Sequence, residues 1–254
     1  MRYWLIIVGL CLAGCATTTR LPEHLKVAEL DELLERIERK SGGPESFVAE
    51  ARLTWVGDGR RLKGTATLAS KRPGFLRYEI QGPHGGVLEA FATNGKEFQV
   101  AKLAEGRFLY GPAKALLLNR LLPFAPLSLD SAGWVDLLFG RIAIPPSANW
   151  QYDPQIARFV VEFERGAAAM RVEVVPETSR ISRITRAIEG QSPWEVKISR
   201  WDPSGLPAEL GVSAPGQGGE GRIKLRDIKV GQHLEDSLFV LEPLEGVISE
   251  YRGS

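Results

Sequence analysis

The amino-acid sequence predicts a mainly β protein, built as one half-open, curved antiparallel β-barrel of about 10–11 strands with an N-terminal helix and short apolar lid helices. Three observations support this fold class. From residue 44 onward, most segments alternate apolar and polar residues with a period of two, which is typical of half-buried strands. Turn signals separate these segments at short intervals. Two short and very apolar segments interrupt the alternation once, near the middle of the chain.

The N-terminus has the pattern of an export signal. Arg2 precedes an apolar run over residues 3–12, which is shorter than the roughly 20 residues that a membrane-spanning helix needs. The run ends in LAGC, Leu12 to Cys15, which resembles the lipobox of bacterial lipoproteins. That resemblance implies cleavage before Cys15, loss of Cys11 with the leader, and acylation of Cys15. The alternative is an ordinary signal peptide with a coincidental cysteine.

The lipobox resemblance also predicts the layout of the chain and its location. Residues 1–14 would be the signal peptide, residues 15–21 a lipidated tether, and residues 22–254 a single domain. The tether would span at most about 20 Å when extended. Lipoproteins retained in the inner membrane often carry Asp after the acylated cysteine, whereas Ala16 follows here. We therefore expect a lipid anchor in the bacterial outer membrane, with the protein facing the periplasm.

The first element of the domain is a predicted helix over residues 22–40. Its apolar residues recur at helical spacing, and they are Val27, Leu30, Leu33, Leu34 and Ile37. Pro22 suits the first turn, and the Gly42-Gly43 pair ends the helix. We expect the apolar stripe to pack on its own domain, and the alternative is a partner-binding face.

Alternation then predicts a meander of strands. The first five are residues 47–55, 62–69, 75–81, 87–93 and 97–103. Asp58-Gly59 and Asn94-Gly95 are typical of hairpin turns. Residues 112–123 and 131–139 are predicted as short apolar helices. A second group of strands follows, with alternation over residues 158–163, 170–174, 181–188, 194–198, 206–213 and 222–230.

Few residues suggest chemistry. Both cysteines lie in the first fifteen residues, and His24, His84 and His233 show no metal-ligand spacing. The segment GQGGEG, residues 216–221, matches G-x-G-x-x-G, but a strand-like segment follows it, so we predict a hairpin loop. The net charge of +1 gives no general attraction to nucleic acid. We expect no cofactor, no metal, no nucleic-acid partner and no enzymatic activity.

The most unusual segment is ALLLNRLLPFAPL, residues 115–127. A helix this apolar is either buried in a core or covers an apolar surface. The strand faces predicted to point inward include small residues, namely Ala49, Ala51, Gly64 and Ala66. Small residues inside a curved sheet leave volume, and an apolar lid over such a space suits a site for acyl chains.

Two segments resemble a known family. They are FLRYEIQGPHGGVLEAFATNGKEFQV, residues 75–100, and PLSLDSAGWVDLLFGRI, residues 126–142. With the lipobox and the first helix, they resemble in order LolB, the outer-membrane lipoprotein receptor, and more loosely LolA, its periplasmic carrier. The resemblance implies a half-open barrel whose apolar cavity receives acyl chains of lipoproteins or lipids. In LolB-like proteins an exposed loop leucine helps to insert cargo into the membrane, and His84 occupies that membrane-facing position here.

We expect a set of large apolar side chains to line the cavity and its lid. They are Leu53, Trp55, Tyr78, Phe91, Leu116, Leu117, Leu121, Leu122, Phe124, Trp134, Leu137 and Leu138. The strand around Phe91 alternates poorly, so the sequence leaves the facing of Phe91 open.

The leading functional hypothesis is therefore an outer-membrane-anchored lipoprotein that binds acyl chains in an apolar cavity, as a LolB-like receptor in lipoprotein localisation. Its expected partners are the membrane, through the N-terminal acyl chains, a lipoprotein or lipid cargo, and a LolA-type periplasmic carrier. We expect a monomer. The alternative is an envelope scaffold or accessory lipoprotein that uses the same fold to bind a protein partner.

Overall fold

The computed structural model describes residues 32–33, 35–37, 43–57, 60–82, 84–114, 129–214, 219–243 and 245–252. Most of these residues belong to one fourteen-stranded sheet. The strands before the helical region are β1 Ser46–Gly57, β2 Arg60–Lys71, β3 Phe75–Gln81, β4 Val87–Asn94, β5 Glu97–Lys102 and β6 Arg107–Pro112. The helix α1 spans Ser131–Leu138. The later strands are β7 Asn149–Asp153, β8 Arg158–Arg165, β9 Ala168–Val175, β10 Arg180–Ile188, β11 Trp194–Trp201, β12 Pro207–Ala214, β13 Gly219–Val230 and β14 Ile248–Tyr251.

The sheet is curved and not closed, which confirms the predicted fold class. Its order is β14-β6-β5-β4-β3-β2-β1-β13-β12-β11-β10-β9-β8-β7, so β14 and β7 are the two edges. Neighbouring strands are antiparallel, except that β14 pairs with β6 in parallel. The long-range pairing of β1 with β13 joins the two groups of consecutive strands into one surface.

The strand count exceeds the predicted 10–11 because the sequence analysis missed β6, β7 and β14. The four-residue β14 has an irregular, mostly exposed pattern, and β7 alternates over only five residues. Residues 107–112 form β6, so the predicted helix over 112–123 was wrong at Pro112, which ends that strand. Residues 115–123 of that predicted helix lie outside the described residues.

The hydrophobic core covers the concave face of the sheet. Buried residues from both groups of strands form one cluster, including Phe47 and Phe91 from the first group and Val172 and Leu210 from the second. Residues 32–33 and 35–37 are helical, and Leu33, which is fully buried, belongs to this cluster. The first helix therefore packs on its own domain at these residues, while Val27, Leu30 and Leu34 lie outside the described part.

The helix α1 confirms the second predicted short apolar helix, and it also packs on the concave face. The Asp130 carboxylate accepts a hydrogen bond of 2.8 Å from the Gly133 N–H, which caps the first turn. Just beyond the last turn, the ring of Phe139 meets that of Phe47 edge-on at 5.1 Å. Within the described residues, no helix is long and apolar enough to span a bilayer.

Candidate functional site

The candidate site lies on the concave face, toward the end of the sheet that holds the β1–β2 and β3–β4 connections. We call this end the rim, and define it by residues 57, 60, 82 and 84–86. Alternation on β1 places Leu53 and Trp55 on the concave face, where Leu53 is buried and Trp55 is half-buried. Tyr78 and Phe91 are cross-strand neighbours on β3 and β4, and their rings stack at 5.2 Å. Phe91 is fully buried, so its facing is settled as inward.

Trp55 lies across the glycines at the start of β13. A Cβ atom added to Gly219 would be 1.9 Å from Cζ2 of Trp55, and one added to Gly221 would be 3.0 Å from its Cε3. The indole therefore leaves no room for a side chain at Gly219 and little room for one at Gly221. Strand β13 begins at Gly219, so residues 219–221 belong to a strand. The predicted hairpin loop over residues 216–221 was therefore wrong for these three residues.

A polar pair also lies on this concave face. The Tyr78 hydroxyl donates a hydrogen bond of 2.9 Å to Oε1 of Glu89, which stands on β4 opposite Ile80. Burial raises the pKa of Tyr78 well above its ordinary value, and the nearby Glu89 carboxylate adds to the rise. The tyrosine therefore stays protonated and keeps donating to the carboxylate.

The small residues predicted to face inward do so. Ala49, Ala51 and Ala66 are buried in the concave-face cluster. Gly64 is half-buried, and a Cβ atom there would be 3.5 Å from Cγ2 of Ile80. Small side chains at the centre of the sheet let the elements on the concave face approach the strands closely.

The residues of α1 that were predicted to form part of the lid lie in the same cluster. Trp134, Leu137 and Leu138 are all buried there. The indole N–H groups of Trp134 and of Trp194 on β11 are buried and have no hydrogen-bond partner among the described residues. Two buried indole donors without a partner among the described residues therefore lie on this mostly apolar surface.

An apolar cavity of about 300 Å³ lies at the opposite end of the sheet from the rim. Its wall includes Phe139, Ile142, Ile144, Ile181, Trp201 and Leu206, together with Arg141 and Arg180. The guanidinium of Arg180 stacks over the Trp201 ring at 5.0 Å. Burial lowers the pKa of Arg141, and the nearby charge of Arg72 lowers it further. This cavity was not predicted from the sequence, although Ile142 and Ile144 in its wall follow closely after the predicted helix over residues 131–139.

The remaining predicted site residues divide into two groups. His84 is exposed in the β3–β4 connection at the rim. The others fall outside the described residues, and they are Cys15, Leu116, Leu117, Leu121, Leu122 and Phe124. Their predicted roles remain predictions.

Comparison with known proteins identifies the fold. No protein-family model and no curated protein matches this sequence. Three solved structures have similar folds. A DUF1329 family protein from Desulfovibrio piger has a TM-score of 0.58 and 15% sequence identity, and the match covers 84% of this chain and 96% of that protein. A LolA superfamily protein from Nitrosomonas europaea has a TM-score of 0.55 and 12% identity, covering 83% and 97%.

The third similar structure is a candidate outer membrane lipoprotein-sorting protein domain from Vibrio parahaemolyticus. Its TM-score is 0.56 at 10% identity, and the match covers 82% of this chain and 94% of that domain. At these identities the likeness establishes the fold alone. The fold predicted from the resemblance to LolA and LolB is therefore confirmed.

Proposed function

We propose that this protein is an outer-membrane lipoprotein, anchored through acylated Cys15, that binds acyl chains of lipoproteins or lipids on the concave face of its sheet, as a LolB-like receptor does. The observation that carries the proposal is the continuous apolar cluster on that face, which joins both strand groups under α1. Burial of hydrocarbon against such a surface is favourable by roughly 25 cal/mol per Å².

The fold of the similar structures supports this assignment. One similar structure belongs to the LolA superfamily, and another is a candidate lipoprotein-sorting domain. We assign the concave-face residues Leu53, Trp55, Tyr78 and Phe91 to the acyl-chain surface, with Trp134, Leu137 and Leu138 of α1 as part of the lid. The apolar segment containing Leu116, Leu117, Leu121, Leu122 and Phe124 completes the proposed lid.

The polar groups on the concave face fit an acyl cargo as well. An acyl group carries an ester or amide carbonyl at one end of its hydrocarbon chain. The buried indole N–H groups of Trp134 and Trp194 can donate to such a carbonyl, which would satisfy donors that otherwise remain unpaired among the described residues. Cargo would arrive from a LolA-type carrier and leave toward the membrane, with His84 at the rim.

The test uses residues 16–254, which contain every described element because all described residues follow residue 31. We expect acyl lipid to co-purify, as measured by extraction and mass spectrometry, and an acylated lipoprotein to pass from a LolA-type carrier to this chain. Trp55→Glu, at a half-buried position, should abolish both with the circular dichroism spectrum unchanged. Ile156→Glu is the matched control, because Ile156 is exposed in the turn before β8.

Two results would contradict the proposal. One is a chain that neither holds lipid nor accepts cargo, which would favour a scaffold that binds a protein partner. The other is Trp55→Glu loading lipid as well as Ile156→Glu, which would remove Trp55 from the acyl-chain surface.

A further inference from the structure

The outward face of the sheet has a notch beside the rim. The last pair between β2 and β3 is Thr65 with Gln81, whereas the pairing of β1 with β2 continues to Gly57 and Arg60. Strands β1 and β2 therefore extend beyond the end of β3, next to the β3–β4 connection. The resulting concavity has a volume of about 790 Å³.

Cations line this notch. They come from three neighbouring strands, and they are Arg52, Arg61, Lys63, Arg222 and Lys224. No carboxylate is among the lining residues that the structure describes. The apolar part of the outward lining includes Leu88. The notch therefore combines five positive charges with an apolar patch in a chain whose formal net charge is only +1.

These charges are only partly neutralised. Arg222 and Lys224 share the carboxylate of Glu209, which is buried on β12. Arg52, Arg61 and Lys63 form no ion pair with any residue in the described ranges. Arg52 also stands directly opposite Lys224 across β1 and β13, and like charges in that position destabilise a sheet.

Protection of a sheet edge accounts for only part of the cluster. Lysine and arginine on an unpaired edge discourage pairing with other chains, and Arg61 and Lys63 lie where β2 has no partner on the β3 side. Arg52, Arg222 and Lys224 lie on β1 and β13, which are paired on both sides. Arg222 and Lys224 pair with the buried Glu209, so Arg52, which forms no ion pair within the described ranges, is the cation that needs another explanation.

We propose that the notch docks on anionic phospholipid headgroups at the membrane surface. Lysine and arginine match the phosphate charge, and each contributes to attraction by an anionic bilayer. The adjoining exposed aliphatic side chains suit the apolar side of the headgroup region, since Val56 is 49% and Leu88 45% exposed. An acidic protein partner would match the charge but not this apolar patch.

Docking at the notch would also orient the molecule. The notch, the exposed His84 and the concave-face residue Trp55 all lie toward the rim, so the docked rim would face the bilayer. This proposal goes beyond acyl-chain binding and does not depend on it, because the outward side chains that form it lie on the opposite face of the sheet.

The test measures co-sedimentation of residues 16–254, without acyl chains, with vesicles of phosphatidylcholine containing or lacking phosphatidylglycerol. We expect binding only with phosphatidylglycerol, weakened by added salt. The double variant Arg61→Gln/Lys63→Gln should bind about 25-fold more weakly, at about fivefold per charge. Lys96→Gln/Lys229→Gln is the matched control, because it removes two exposed charges near the other end of the sheet.

Three outcomes would overturn the proposal. The protein could bind equally to vesicles with and without phosphatidylglycerol, or the two double variants could weaken vesicle binding equally. In the third outcome, Arg61→Gln/Lys63→Gln would bind vesicles as wild type does but would lose binding to poly-glutamate. Millimolar inorganic phosphate that displaces the protein completely at constant ionic strength would also overturn it, because the notch would then be a site for the free ion. Lipid uptake, measured separately, should remain normal in Arg61→Gln/Lys63→Gln. Loss of uptake with normal folding would overturn the assignment of the two functions to opposite faces.

Discussion

The two faces of strand β1 carry opposite chemistry within a few residues. Leu53 and Trp55 point to the concave face and contribute an apolar surface, while Arg52 and Thr54 point outward into the cationic notch. The period of two in a strand produces this division, because successive side chains alternate between faces. One strand can therefore contribute to a hydrocarbon surface and to an anion-binding surface at the same rim.

The largest expected effect is a difference in the free energy of unfolding between a variant of the concave face and a variant of the outward face. Phe91→Ala removes a fully buried ring that stacks on Tyr78, and we expect a loss of about 3–5 kcal/mol in the free energy of unfolding. Arg52→Ala, on an exposed outward position, should change that free energy by no more than about 0.5 kcal/mol. Denaturation with guanidinium chloride measures both. Similar losses in the two variants would contradict the division into a structural and a surface face.

A second prediction concerns the packing of Trp55. Gly219→Val places side-chain atoms where the indole lies, and we expect destabilisation of about 3 kcal/mol together with a shift in tryptophan fluorescence. Gly211→Val is the control, because a Cβ atom there finds its nearest neighbour at 3.9 Å. If Gly219→Val and Gly211→Val were equally stable, the fold would not require the close approach of Trp55 to β13.

These examples show why sequence patterns predicted some elements and not others. Alternation placed β3 at residues 75–81, its observed bounds, because the strand is long and half-buried on one face. Strand β14 has four residues, three of them exposed, and pairs with β6 over a long separation in sequence, so it has no local signal. A pattern reports burial along one segment, and it contains no information about which distant segment pairs with it.

The same limit applies to the sites. Leu53, Tyr78 and Trp134 were predicted to line the cavity and its lid; the structure buries all three in one apolar cluster, which follows from the local pattern, and their role as cavity and lid residues stays a prediction. The role of Gly219 and Gly221 beneath Trp55 depends on the register between β1 and β13. The cationic notch depends on the same register, since it brings Lys224 opposite Arg52. Neither could be predicted from a single segment.

A third prediction tests the buried charge of the outward face. Burial opposes ionisation of Glu209, but hydrogen bonds from Arg222 and Ser199 and the charge of Lys224 hold its pKa below its ordinary value. Glu209 therefore stabilises the fold above the pKa of the unfolded state, and this contribution is lost as pH falls through the lower folded pKa. Glu209→Gln should cost about 1–2 kcal/mol at neutral pH. The difference from wild type should shrink in acid, and a constant difference would contradict the assigned ion pairs.

The smallest expected effect lies on the concave face and has the opposite dependence on pH. Tyr78→Phe keeps the ring stacked on Phe91 but removes the donor to Glu89, so we expect a loss of about 1 kcal/mol at neutral pH. Because burial raises the pKa of Tyr78, the unfolded chain loses this proton first as pH rises above 10.0. The free energy of unfolding of wild type should therefore fall more steeply above that pH than that of Tyr78→Phe. The variant is less sensitive to alkali because it has no buried phenol to ionise. Tyr110→Phe, at a 40% exposed position, is the matched control, and equal alkaline slopes in wild type and both variants would mean that Tyr78 is not held protonated by the concave face.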